Sequence, residues 1–169
     1  MPMQDLSDEA IASVISRYRA QGKKDGGPFT LAELLIEQRR RKPSAFPTVE
    51  VARLIVELSR RSLDGLVTYK QIWTHFRPDQ PWQGHGSQTV VRDALYRVIG
   101  YCVAHGLPVL TVLVVRTQSR KLSDEAVANI YAEAKEFGLE VGLVASDFVR
   151  QEAFKSRSLS VEALPAEDI

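Results

Sequence analysis

Clustered cations are the feature of this sequence that most directly indicates a chemistry. Arg39, Arg40, Arg41 and Lys42 follow one another immediately before Pro43. Guanidinium and ammonium groups bind phosphate oxygens, and a polyanion neutralised in this way releases its counterions. The run therefore predicts a phosphate contact. The alternative is structural, because four cations at the end of a helix are also favoured by the helix dipole.

A second candidate surface lies on a helix that we predict over 88–105. Gln88, Arg92 and Tyr96 are spaced by four residues, so their side chains share one face of that helix, and Arg97 lies about 100° further round. The surrounding stretch 62–122 carries seven Lys and Arg against three Asp. This polar face is therefore a second candidate for anion binding.

Residues that could hold a metal or act as nucleophiles are few. Cys102 and His105 are three apart on the same predicted helix, and a zinc site would also need His75 and His85 to converge on them. The Gly84–Ser87 stretch has one His and one Ser without a spaced acidic partner. From these patterns we predict no metal, no cofactor and no catalytic residue. A metal-dependent nuclease remains an alternative, and the carboxylates available to it are Asp64, Asp79 and Asp93.

Composition restricts the class of protein. The chain has 169 residues, of which 44% are apolar, and a single Cys. This apolar fraction excludes a wholly disordered chain, and one Cys excludes a disulfide scaffold. No apolar run is long enough to span a membrane, and the first nine residues lack the basic and apolar regions of a secretory signal. We therefore expect a cytoplasmic protein that has no membrane partner.

Charge is distributed unevenly along the chain. Residues 1–122 hold 18 Lys and Arg against 11 Asp and Glu, whereas residues 123–169 hold 4 against 10. A basic body attracts nucleic acid. The alternative is that the acidic end folds back on the basic part.

Capped apolar stripes predict a mostly helical α+β protein. Short strands are predicted over 66–69, where a helix entry is the alternative, over 109–116 from its β-branched run, and over 141–145. Residues 156–169 are predicted to form a loose tail. The remaining elements are helices, predicted over 6–21, 30–41, 48–62, 68–76, 88–105, 123–137 and 147–155.

Three pieces of the middle segment occur in a familiar order: Gly65-Leu-Val-Thr-Tyr-Lys-Gln-Ile, then Arg97-Val-Ile-Gly, then Leu107-Pro-Val-Leu. In this order they resemble the winged-helix DNA-binding domain of the O6-alkylguanine-DNA alkyltransferases and the alkyltransferase-like proteins. The resemblance covers residues 65–115. It implies a winged-helix fold, duplex DNA as a partner, and DNA contacts by Tyr69 and Arg97, the latter inserted into the duplex.

The departures from that family argue against alkyl transfer. The acceptor cysteine would fall near Leu113, where the sequence has no Cys, His or Pro, and the Trp of the alkyltransferase-like proteins is absent too. Cys102 lies eleven residues earlier, inside a helix. An extra loop intervenes at 77–87. Tyr69 also has a structural alternative as a half-buried core residue, and Arg97 has one as a member of a salt bridge.

We divide the chain into an N-terminal three-helix part (1–62), a winged-helix-like part (63–116), a C-terminal α/β extension (117–158) and a tail (159–169), which share one core. The leading hypothesis is a non-enzymatic protein that binds duplex DNA through a helix-turn-helix surface. The alternative is a protein-interaction module, such as an inhibitor, immunity or adaptor protein, on the same frame. The predicted nucleic-acid contacts are Arg39, Arg40, Arg41, Lys42, Tyr69, Lys70, Gln88, Arg92, Tyr96 and Arg97.

Overall fold

The structure is a computed structural model that describes residues 1–166. It is mostly helical, with two short strands, and this confirms the mostly helical α+β class. The helices are α1 (Asp8–Gln21), α2 (Leu31–Arg41), α3 (Thr48–Arg61), α4 (Tyr69–Phe76), α5 (His85–Ala104), α6 (Asp124–Glu136) and α7 (Ala145–Arg157), and the strands are β1 (Val67–Thr68) and β2 (Val114–Val115).

Side-chain caps fix where several helices begin. The hydroxyls of Ser7 and Ser123 accept hydrogen bonds from backbone amides in the first turns of α1 and α6. Thr30 and Thr68 each form a capping box with the residue three positions on, Glu33 and Gln71 respectively. Each cap satisfies amides that would otherwise lack a partner. The predicted starts of these four helices are therefore confirmed to within two residues.

Helix α5 lies at the centre of the fold and packs against α3, α4 and α6. The spacing of its apolar residues predicts which side of this helix points inward, and the structure confirms the prediction. All of the predicted inward residues are buried: Val91, Ala94, Leu95, Val98 and Cys102. Because this face of α5 packs in the core, the polar side chains of α5 that reach solvent lie on its opposite face.

The strand predicted over 109–116 is wrong for most of its length. Leu110–Leu113 forms a 3-10 turn, and only Val114–Val115 is extended, pairing in parallel with Val67–Thr68. The segment is enclosed by α3, α5 and α7, so no neighbouring strand completes a ladder along it. Its β-branched residues reflect burial rather than strand pairing. No strand forms over 141–145 either.

The buried apolar residues form one cluster that extends from Ile11 to Leu164 and draws on all parts of the sequence. The end of the described chain is not loose, contrary to the prediction. Leu164 is buried, and the Tyr101 hydroxyl donates a hydrogen bond to the carbonyl of Pro165 at 2.6 Å. Residues 167–169, which belong to the predicted tail, lie outside the described residues. Among residues 1–166, no helix has both the length and the apolar content needed to cross a membrane.

Candidate nucleic-acid interface

A cavity opens beside the central helix and is bordered by α5, α6 and the segment 111–116. Its volume is about 80 Å³, enough for several water molecules or one small chemical group. Leu95, Ile99, Val114 and Ile130 form an apolar part of its lining, and polar and charged side chains form the remainder. The cavity thus combines an apolar surface with charged groups, a combination typical of ligand sites.

Four of the predicted contact residues line this cavity together. Tyr69 is the first residue of α4, and Gln88, Arg92 and Tyr96 lie on one face of α5 as their spacing predicted. Burial raises the pKa of the Tyr69 and Tyr96 hydroxyls, so both stay protonated at neutral pH. The structure therefore gathers these four residues at one site.

Two further cations, Arg116 and Lys121, border the cavity although they are not among the predicted contacts. Arg116 directly follows β2, and Lys121 lies two residues before the cap of α6. A cation that follows a buried strand is a pattern that could have suggested Arg116. Nothing local predicts that Arg116 and Lys121 come close to Arg92, since the approach depends on the packing of α6 against α5.

The three cations at the cavity share one property. Within residues 1–166, Arg92, Arg116 and Lys121 make no hydrogen bond and no ion pair, and all three are exposed. No carboxylate of the described residues lies within ion-pair distance of any of the three. They are thus available to an anionic ligand, in contrast to most of the arginines predicted from the sequence.

Burial affects two polar side chains that line the cavity, Thr111 and Glu133. The Thr111 hydroxyl is buried and has no hydrogen-bond partner among the described residues, which leaves a donor and acceptor unused next to the cavity. Burial raises the pKa of the Glu133 carboxyl to about 7, although the nearby Arg92 acts in the opposite direction. Near neutral pH this side chain can therefore both donate and accept hydrogen bonds.

The structure does not place Arg97 where the resemblance implied. Its side chain is only 10% exposed, and it forms an ion pair with Asp93 on its own helix. Its guanidinium also donates to the carbonyl oxygens of Arg39 at 2.8 Å and Lys42 at 3.2 Å. It caps the end of α2 and is not free to enter a duplex, so the structural alternative describes it.

The basic run at the end of α2 is also largely occupied within the protein. Arg39 pairs with Asp93 at 2.8 Å, and its guanidinium carbon lies 4.4 Å from the centre of the Tyr96 ring. Arg40 and Arg41 both bind the buried Glu37, which lowers the pKa of that carboxyl. Arg41 also donates to the carbonyl oxygen of Leu6 at 2.6 Å.

Lys42 and Lys70 are the remaining predicted contacts. Both side chains are exposed, neither forms an ion pair within residues 1–166, and neither lines the cavity. Lys70 is in the first turn of α4 and directly follows Tyr69, which lines the cavity. Lys42 lies beyond the end of α2, and its carbonyl oxygen accepts a hydrogen bond from Arg97.

The structure also bears on the nucleophile and the metal sites that the sequence offered as alternatives. Cys102 is buried, and desolvation raises the pKa of its thiol to about 12, so the thiol stays protonated and unreactive. Asp64 pairs with Arg120, and Asp93 pairs with two arginines. The part of the chain that the structure describes contains no group of three or more His, Cys, Asp or Glu arranged to hold a metal ion.

Comparison with models of protein families, with curated proteins and with solved structures found no match.

The Glu133 carboxyl gives a prediction for stability. Because its pKa rises from 4.5 to about 7 on folding, the folded chain holds the proton more tightly than the unfolded chain. The resulting stabilisation is complete below the unfolded pKa and is lost as the pH rises through about 7. Glu133→Gln keeps the side chain neutral, so the variant should exceed the wild type in stability by about 1–2 kcal/mol at high pH and match it at low pH.

Urea denaturation at about pH 5 and about pH 8 measures this difference. Glu125→Gln is the matched control, because Glu125 borders the same cavity but is exposed. Its effect on the free energy of unfolding should be the same at both pH values. Equal stabilities of Glu133→Gln and wild type at the higher pH would contradict the prediction.

Proposed function

We propose that this protein binds duplex DNA without catalysing a reaction, and that the contact surface is centred on the cavity beside α5. One observation supports the proposal above the others. Arg92, Arg116 and Lys121 converge on one cavity and form no ion pair within residues 1–166, whereas Arg39, Arg40, Arg41 and Arg97 are engaged within the protein. Unpaired cations on one surface provide the sequence-independent affinity with which proteins bind phosphates.

The order of elements around this surface supports the same function. Strand β1, helix α4, the loop 77–84, helix α5 and strand β2 succeed one another between Val67 and Val115, a span that coincides with the resemblance noted above. Helices α4 and α5 pack against each other as a helix-turn-helix pair does. In this arrangement the N-terminal half of α5, with Gln88 and Arg92, is the part that reaches the DNA. Residues 1–166 contain no β-hairpin wing, so the proposed contact combines α5 with the β2–α6 connection that carries Arg116 and Lys121.

The interior of the cavity gives the proposal a second component. A phosphate bound at Arg92, Arg116 and Lys121 would bring a neighbouring sugar or base edge to the cavity opening. Inside, the unused Thr111 hydroxyl and the Glu133 carboxyl offer hydrogen bonds, and the aromatic side chain of Tyr69 forms part of the lining. We infer that rim cations provide affinity while the interior groups contact the nucleotide itself.

Binding of a fluorescent DNA duplex across a salt series tests the proposal. Wild-type affinity should fall steeply with salt, by a slope of about 0.9 for each phosphate contacted. The triple variant Arg92→Ala, Arg116→Ala and Lys121→Ala should lose at least about 100-fold in affinity, and its slope should be smaller by about 2–3.

Arg17→Ala is the matched control, because Arg17 is an exposed cation on α1 that forms no ion pair within residues 1–166 and does not line the cavity. Its affinity and salt slope should remain close to wild type. The proposal is wrong if wild-type protein shows no salt-dependent binding at low ionic strength, or if the triple variant and the Arg17 control bind equally well.

A further inference from the structure

A second and larger recess lies on a different part of the molecule and shares no residue with the cavity. It is a groove with a volume of about 850 Å³, lined by residues 106–108, the 139–144 loop and α7. Three large apolar side chains around it are exposed to solvent: Leu143 by 99%, Val144 by 50% and Phe154 by 80%. An exposed apolar patch of this kind marks a surface that another molecule covers.

The outer face of α7 forms one side of this groove. Val144, Asp147, Gln151, Phe154 and Lys155 all line it, and their spacing of three or four residues places them along one stripe of the helix. The neighbouring face of α7 is buried through Phe148, Glu152 and Ser156, and the first two of these also form part of the groove wall. The stripe is therefore held rigidly in position and is available for a contact outside the chain.

Charges along the stripe are arranged symmetrically about Gln151. Asp147 lies four residues before it and Lys155 four residues after it, so each is about 6 Å from Gln151 along the helix axis. If two α7 helices pair antiparallel about a two-fold axis at Gln151, Asp147 of each copy faces Lys155 of the other. Phe154 of each copy then faces the position of Phe148 in the other, at the wall of the groove. The antiparallel helix dipoles also attract each other.

We propose that two copies of this chain form a homodimer through α7, in which Phe154 of each copy enters the groove of the other. The same surface carries both the projecting side chain and the recess that receives it, as a two-fold interface requires. Within one copy, Asp147 forms an exposed ion pair with Arg150, and exposed pairs contribute little, so Asp147 can turn to contact the second copy. Lys155 binds the buried Glu152 at 3.0 Å, but the Lys155 side chain is itself exposed. Its ammonium group has three donors, so it can keep Glu152 and also contact Asp147 of the second copy.

The balance of charge at the groove favours a second copy over a different protein of strong opposite charge. Although residues 123–169 are acidic overall, α7 itself carries Arg150, Lys155 and Arg157 beside its acidic residues. Two such surfaces do not repel one another. The cavity cations lie outside this interface, so each copy of the dimer retains its own proposed nucleic-acid surface.

Sedimentation velocity of the full chain, between about 1 and 100 μM, tests the proposal. The wild type should approach twice the 18.9 kDa mass of one chain as the concentration rises. Phe154→Asp should raise the dimer dissociation constant by at least about 30-fold, because it removes the central apolar contact. Leu63→Asp is the matched control, since Leu63 is fully exposed and lies outside the groove, and its dimerisation should equal that of the wild type.

A charge reversal tests the proposed register of the helices. Asp147→Lys should weaken the dimer by placing it opposite Lys155 of the second copy, whereas Asp147→Glu keeps the negative charge and should dimerise like the wild type. Far-UV circular dichroism establishes that each variant is folded. The proposal is overturned by a wild type that remains monomeric throughout the range, by a Phe154→Asp variant that dimerises normally, or by an Asp147→Lys variant that dimerises as well as Asp147→Glu. None of these results depends on DNA.

Discussion

Arg97→Met should lower the free energy of unfolding by about 3 kcal/mol, because it removes one member of a nearly buried network. The Arg97 guanidinium holds Asp93 and two backbone carbonyl oxygens at the end of α2. Without it, the carbonyl oxygens of Arg39 and Lys42 lose a donor, and Asp93 keeps only its contact with Arg39. Urea denaturation followed by tryptophan fluorescence measures the change.

Arg40→Met is the matched control for this variant. Arg40 also belongs to the basic run and also forms an ion pair, but its side chain is 57% exposed. Glu37 keeps Arg41 as a partner when Arg40 is replaced, so this loss should be much smaller than the loss for Arg97→Met. Similar losses for the two variants would contradict the structural role of Arg97. Folded Arg97→Met protein should also retain its affinity for DNA, since Arg97 is not part of the proposed contact surface.

The helices could be predicted from the sequence because their determinants are local. Capping residues such as Thr30 and Thr68 specify the first turn through bonds to residues three positions away. Apolar side chains at helical spacing then specify the buried face, as the inward side of α5 shows. Both signals are contained within a few turns of the chain. Tertiary contacts strengthen them but do not change them.

The 109–116 segment shows why the strands were harder to predict. Val, Leu and Thr at successive positions are equally compatible with a buried strand and with any other fully buried backbone. A ladder needs a neighbouring strand, and only Val114–Val115 has one. The remainder closes a 3-10 turn, and the amide of Val109 donates to the buried Glu152 carboxylate, 43 residues away. No pattern within the segment contains that information.

The same distinction between local and long-range contacts applies to the cations. The pairing of Arg40 and Arg41 with Glu37 follows from spacings of three and four residues, and could have been inferred from the sequence. The burial of Arg97 against the end of α2 depends on contacts between residues more than fifty positions apart. A count of charges therefore identifies where cations are abundant, but the fold decides which of them remain unpaired.

Phe46, in the α2–α3 connection, is the second residue whose replacement should change the free energy of unfolding by a large amount. The sequence predicts no helix or strand over 43–47, between the helices predicted over 30–41 and 48–62, yet the Phe46 side chain is completely buried. Its ring stacks on Phe76 with the ring centroids 4.6 Å apart, and meets the edge of Trp73 at 6.2 Å. The Arg77 guanidinium carbon lies 5.1 Å from the centre of the same ring. Phe46 thus joins the α2–α3 connection to the end of α4.

Phe46→Ala should therefore lower the free energy of unfolding by about 3–5 kcal/mol, since it removes a buried ring and leaves a cavity among aromatic neighbours. Urea denaturation measures the loss, and Leu63→Ala, at a fully exposed position, should change stability by no more than about 0.5 kcal/mol. Because α4 carries Tyr69 and Lys70 at its other end, the loosened helix should also weaken DNA binding at temperatures where the variant is still folded. A Phe46→Ala protein as stable as the Leu63 control would show that the α2–α3 connection does not anchor α4.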